Sequence, residues 1–142
     1  MASTSCLVRA AILFALCSLA GPGARTATLV TSWAPPPGET LYVAGGAAVY
    51  TAVEARGVSG VRILGRGIID TSEYERDKGG GCIRLTDCSD VKIEGVILRD
   101  PDVWCLSAFG CREVEIVNVK LVGLWRYNAD GIDICNSQNV VI

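Results

Sequence analysis

Four segments of the chain superpose without a gap: Val53–Ile63, Ile83–Ile93, Leu106–Ile116 and Ile132–Ile142. Their first residues are apolar and lie 30, 23 and 26 positions apart. Valines at 61, 91, 114 and 140 and isoleucines at 63, 93, 116 and 142 keep the same steps. A repeat of this length means stacked units, each burying its apolar face on its neighbours.

Within a unit the apolar residues alternate, at the first and third positions and again at the ninth and eleventh. A period of two marks a strand, because successive side chains point to opposite faces. The fifth position is Gly57, Asp87, Gly110 and Asn136, residue types that tolerate a positive φ, so the chain should bend there. A third apolar run follows in the first three units: Gly67–Asp70, Val96–Leu98 and Val119–Leu121. Three strands and three bends per unit describe one coil of a parallel β-helix, with coils roughly 4.8 Å apart. A leucine-rich repeat needs a tighter, Leu-dominated pattern. A β-sandwich would not hold three anchors in register over four copies. Helical solenoids need apolar spacings of three and four. The pattern predicts an all-β fold of about four coils over residues 39–142, with residues 39–51 (Leu41, Val43, Val49) as an incomplete first coil.

With 13 basic and 15 acidic side chains and no histidine, the net charge is −2, and the basic residues are scattered. Nothing in this balance points to nucleic acid. Residues 1–20 read as a secretory signal: Arg9 precedes an apolar run from Ala10 to Leu19, and Ser18-Leu-Ala20 offers small residues for cleavage. That run is too short to span a bilayer. The expected product is secreted, with no membrane association once the signal is removed. Residues 21–38, ending in Pro35-Pro-Pro-Gly38, read as a linker or extended lead-in. Cys88 and Cys111 share one repeat position, and Cys82 and Cys105 share another. Equivalent cysteines on adjacent coils lie near disulfide range, but small apolar core filler is the favoured reading for Cys88 and Cys111. No Cys-x-x-Cys pair occurs and histidine is absent, so no metal and no cofactor is expected.

Chemistry can be sought in Asn128-Ala-Asp130-Gly-Ile-Asp133. Asn, Asp and Gly together are ordinary turn composition; the placement is what singles them out. Asp130 and Asp133 bracket the start of the fourth unit's first strand. Ile132 and Ile134 keep the inward register, so Asp133 should face outward. Two carboxyls on one surface of a rigid stack are raw material for glycoside hydrolysis. Trp104, Trp125 and Tyr127 could add a sugar-stacking platform, although packing over the coil exterior explains each ring singly. Residues 71–81 read as a solvated loop inserted in one bend.

Residues 128–134 resemble the Asn-Thr-Asp-Gly-Ile/Phe-Asp segment of the polygalacturonases, glycoside hydrolase family 28. Gly65-Arg-Gly-Ile-Ile-Asp70 is similar to their earlier Gly-x-Gly-x-Ile-Asp segment. Trp125-Arg126-Tyr127 is also similar to dextranase and isopullulanase relatives in family 49. The resemblance covers about residues 39–142 and implies a right-handed parallel β-helix, the pectin-lyase-like solenoid. It implies inverting hydrolysis of a polysaccharide, with Asp130 as a catalytic aspartate that helps hold the attacking water. It implies substrate-binding roles for Asp133, in the cleft near the scissile bond, and for Asn128, as an orienting or structural residue. The family's threonine is Ala129 here. Its adjacent Asp-Asp pair one coil on, its Gly-His-Gly and its Arg-x-Lys have no counterpart. The chain is therefore expected to be the front part of a longer enzyme and inactive by itself. The alternative is a non-catalytic β-helix carbohydrate-binding or surface protein; a lyase on the same scaffold would want a calcium-like carboxylate cluster, which the sequence lacks.

Overall fold

The computed structural model describes residues 32–142. The expected signal segment and the first part of the lead-in lie outside the described residues. Thirteen short strands follow one another: β1 (Thr40–Val43), β2 (Ala48–Tyr50), β3 (Val53–Arg56), β4 (Arg62–Gly65), β5 (Ile68–Asp70), β6 (Ile83–Thr86), β7 (Ser89–Glu94), β8 (Ile97–Arg99), β9 (Leu106–Phe109), β10 (Arg112–Val117), β11 (Lys120–Val122), β12 (Ile132–Cys135) and β13 (Gln138–Val141). No α-helix occurs among the described residues.

Every third strand pairs, and every pair is parallel. The three sheets run β1-β4-β7-β10-β13, β2-β5-β8-β11 and β3-β6-β9-β12. This is a β-solenoid of about four turns, as the repeat predicts. The register is the sequence alignment itself: Val53 pairs with Ile83, Ile83 with Leu106 and Leu106 with Ile132. Ile63 pairs with Ile93 and Ile93 with Ile116 in the sheet of β4, β7 and β10. Ile69 pairs with Leu98 and Leu98 with Leu121 in the sheet of β5, β8 and β11. Residues 39–51 do supply a first coil, through β1 on β4 and β2 on β5.

Inward-facing residues form one continuous core that includes Leu41, Val53, Ile63, Ile69, Ile83, Leu85, Ile93, Leu98 and Leu106. Each fully buried Ile or Leu contributes about 2 kcal/mol of transfer free energy. Trp33, in the segment read as lead-in, bridges to Val53 in parallel and packs against this core. Cys82, Cys88, Cys105 and Cys111 are buried and free, which is the core-filler role, while Cys135 is exposed.

The bends obey the expected chemistry. Gly57, Asp87, Gly110 and Asn136 have φ of 63°, 53°, 62° and 49°. In the turn after β4 the two glycines of Gly65-Arg66-Gly67 serve a close backbone approach. The Val43 carbonyl accepts from both Arg66 N and Gly67 N at 3.0 Å. A Cβ on Gly65 would stand 2.0 Å from that carbonyl oxygen, at a φ of +123° that side chains avoid. This segment, which resembles a family motif, is thus a packing device.

Candidate active site on the outer face of the coils

Alternation fixes the first set of polar groups. Asp133 lies between inward Ile132 and Ile134 on β12, and its register partner on β9 is Ser107. Ser107 in turn pairs with Arg84 on β6, and Arg84 with Glu54 on β3. Glu54, Arg84, Ser107 and Asp133 therefore form one lateral row, one residue per coil. Three atoms of this row are buried without a partner in the protein: Arg84 Nε, Ser107 Oγ and Asp133 Oδ2. Buried polar groups are nearly always hydrogen-bonded, so three unpaired atoms at register-equivalent places on successive coils single this row out. Arg84 makes no ion pair among the described residues; its guanidinium lies 5.8 Å from the centre of the Phe109 ring.

The second set stands just before the row, where each chain turns into its strand. Here Gly81, Trp104 and Asp130 occupy equivalent places on successive coils. The Asp130 carbonyl accepts from Cys105 N at 2.8 Å, which fixes the Asp130 backbone against the coil below. Asn128, at φ 62°, fixes the side chain. With its amide oriented to suit both neighbours, its nitrogen donates to Asp130 Oδ2 at 3.2 Å. Its oxygen accepts from Trp104 Nε1 at 3.1 Å. Trp104 is held by Phe109, with ring centres 5.8 Å apart. Gly81 makes room for all of this: a Cβ there would fall 1.9 Å from the Trp104 carbonyl oxygen. A hollow of about 240 Å³ is lined by Arg84 of the row, Trp104 and Asn128 of the second set, and Asp77, Gly80 and Val103.

Two long bends wall the hollow, and both are anchored. Asp102 is fully buried, and its carboxylate accepts from three consecutive backbone amides, Gly79 (2.8 Å), Gly80 (3.2 Å) and Gly81 (2.8 Å). Arg126 reaches from the later bend to the earlier one, donating to Ser72 O at 2.7 Å and Tyr74 O at 2.8 Å. The 71–81 segment exposes Glu73, Glu75, Arg76, Asp77 and Lys78, as a solvated loop should, but its glycine end is fastened.

Burial, and after it the negative charge of Asp130, push the Asp133 carboxyl above its ordinary value of 3.8. A raised folded-state value means the folded protein holds this proton more tightly than the unfolded chain. The associated stability is present below the unfolded value and is lost as pH rises through the folded one. Asp133→Asn removes the ionisation. The variant should melt higher than the parent at pH 7 and about the same at pH 3; thermal unfolding at both pH values checks this. An unchanged difference between the two pH values would show that Asp133 is not strained by its charge.

The structure thus brings Asn128 and Asp130 into direct contact and sets Asp133 close enough to feel the Asp130 charge. Arg84, Ser107 and Asp102 were not expected from the sequence. The first two were legible in it: they occupy the second column of the same repeat whose fourth member is Asp133.

No family model matches the chain, and no curated protein matches it. Among solved structures, the chain is similar to a crystal structure of a "putative glycosyl hydrolase" from Parabacteroides merdae. The TM-score is 0.64 at 22% identity, over 78% of this chain. The match covers 64% of that protein, so the chain spans under two thirds of its length. At this identity the likeness establishes the β-solenoid fold.

Proposed function

We propose that the chain carries one wall of the active site of a secreted glycoside hydrolase acting on a polysaccharide, by inverting, polygalacturonase-like hydrolysis. One observation carries the reading. Asp130, held by Asn128, which Trp104 holds in turn, stands beside the Arg84–Ser107–Asp133 row on one rigid outer face. The likeness to the Parabacteroides protein supports it at the level of fold.

Inverting hydrolysis needs a carboxylate that takes a proton from water on one side of the sugar and a carboxyl that protonates the leaving oxygen on the other. Asp130 is exposed and oriented through a single carboxylate oxygen, which suits the water-activating role. Asp133 stands one residue row away on the same strand ladder, where burial and the Asp130 charge raise its carboxyl above the ordinary value. Arg84, a guanidinium without an ion pair, suits the carboxylate of an acidic sugar. The proton donor for the leaving oxygen would come from elsewhere in the complete enzyme.

The test is a reducing-end assay on polygalacturonate and dextran with the full-length gene product. Asp130→Asn should lower turnover about a hundredfold or more, with the melting temperature unchanged. Turnover within about twofold of the parent would remove Asp130 from the mechanism and leave a binding protein as the better reading.

A further inference from the structure

We infer that Cys82 and Cys105 are a cross-coil disulfide site, which an oxidising compartment closes into a covalent rung between two neighbouring coils, while Cys88 and Cys111 stay thiols. The bond does not depend on what the site above it acts on.

The register brings the two cysteines together. Ile83 pairs with Leu106, so the residues just before them, Cys82 and Cys105, stand side by side on parallel coils. Cys82 N and Ile83 N both donate to the Cys105 carbonyl, at 3.0 and 3.1 Å. Neighbouring parallel strands lie roughly 4.8 Å apart, and a disulfide tolerates Cα separations of about 4.4–6.8 Å. On the flanking coils the same column holds Ala52 and Gly131, so each sulfur has only the other along the stack. Both cysteines are wholly buried, on middle coils covered from either side.

Hydrogen bonding separates this pair from the other. Cys88 Sγ donates to the Thr86 carbonyl at 3.3 Å and Cys111 Sγ to the Phe109 carbonyl at 3.4 Å, so each of those thiols turns back onto its own coil. Cys82 Sγ donates to the Arg99 carbonyl at 3.6 Å, lies 3.5 Å from Thr71 Oγ1, and meets the Cys105 thiol. The hydrogen bond to Cys82, and after it burial, push the Cys105 thiol above its ordinary value of 9.0, so the folded chain offers no thiolate there. The bond is therefore made while the coils assemble. One cysteine thiolate attacks oxidised glutathione and releases a reduced glutathione; the other attacks the mixed disulfide and releases the second. Both thiol protons and both electrons end on the two glutathiones. The rung lies beneath the candidate site. Gly81, next to Cys82, ends the loop that Asp102 fastens, and Trp104, next to Cys105, holds Asn128. Cys105 N itself donates to the Asp130 carbonyl at 2.8 Å.

The experiment is refolding of the unfolded, reduced 142-residue chain in mixed oxidised and reduced glutathione, and in parallel in reduced glutathione alone. Each product is blocked with iodoacetamide in denaturant, cut with trypsin and chymotrypsin, and weighed by mass spectrometry without reduction. Chymotrypsin cuts after Phe109 and so parts Cys105 from Cys111. The oxidised product should carry the Cys82 and Cys105 peptides joined, with Cys88 and Cys111 alkylated. Because the bond closes a loop across 23 positions, this product should melt about 10 °C above the reduced one. The gap should disappear in Cys82→Ala and in Cys105→Ala and persist in Cys88→Ala. It is read within each variant, so lost packing does not disguise it, and the parent's peptide map decides even where a variant does not fold. Alkylation of both Cys82 and Cys105 in the oxidised product overturns the inference, as does Cys82 joined to any other cysteine. A parent gap below about 2 °C overturns it as well.

Discussion

Replacing Asp102 with alanine should cost about 4 kcal/mol and lower the melting temperature by about 15 °C. The carboxylate is fully buried, and all its hydrogen-bonding goes to Gly79, Gly80 and Gly81. Hydrogen bonds to a charged acceptor contribute about 1.5–3 kcal/mol each. The three do not add in full. Gly79 and Gly80 are half-buried and can turn their amides to water, whereas Gly81 is buried and cannot. Asp102→Asn should recover less than half of the loss, because an amide offers one acceptor oxygen and turns a donor towards amides that are themselves donors. The damage should be local first. Hydrogen exchange at Gly79–Gly81 should rise steeply while the strands stay protected, and the hollow lined by Gly80 and Asp77 should lose its wall. A variant within about 1 kcal/mol of the parent would mean that the loop is held by something other than this carboxylate.

Much of the fold was legible because a solenoid writes its packing into sequence columns. The core column Val53, Ile83, Leu106 and Ile132 must be apolar in every coil, and it became the ladder β3-β6-β9-β12 without a shift. The bend column was equally legible, since only Gly, Asn and Asp accept the left-handed turn cheaply, and all four members adopt it. The site was legible where it obeyed a column, as at Asp133. It was hidden where contacts leave the columns. Asp102 acts on residues 21 to 23 positions earlier, across an inserted loop, and beside Pro101 it reads as ordinary turn composition. Arg126 acts on residues more than 50 positions earlier for the same reason. Asn128 was visible as a motif residue, but its bridge between Trp104 and Asp130 depends on coil stacking that spacing alone does not supply.

The Asp70–Arg99 pair shows how a motif residue can be structural, and it yields the second large effect. Asp70 ends β5 and Arg99 ends β8, in register on neighbouring coils. The Asp70 side chain is wholly buried while that of Arg99 is about one third exposed. Arg99 Nε donates to Asp70 Oδ2 at 2.5 Å, Arg99 Nη2 pairs with the same oxygen, and Ser72 N donates to Oδ1 at 2.7 Å. Arg99→Ala would strand a buried carboxylate with one remaining donor. Breaking a buried ion pair from one side costs 3–5 kcal/mol, and the solvent access of Arg99 places this one at the lower end, about 3 kcal/mol. The cost comes from desolvation, not from attraction lost, so it should vanish when the charge goes too. The double replacement Asp70→Leu with Arg99→Met should therefore be far less destabilised than Arg99→Ala, within about 1 kcal/mol of the parent. Denaturant unfolding of the three proteins separates the cases: a double variant as unstable as the single one would show that the pair holds the coils together by specific geometry, and not by the penalty on a lone buried charge.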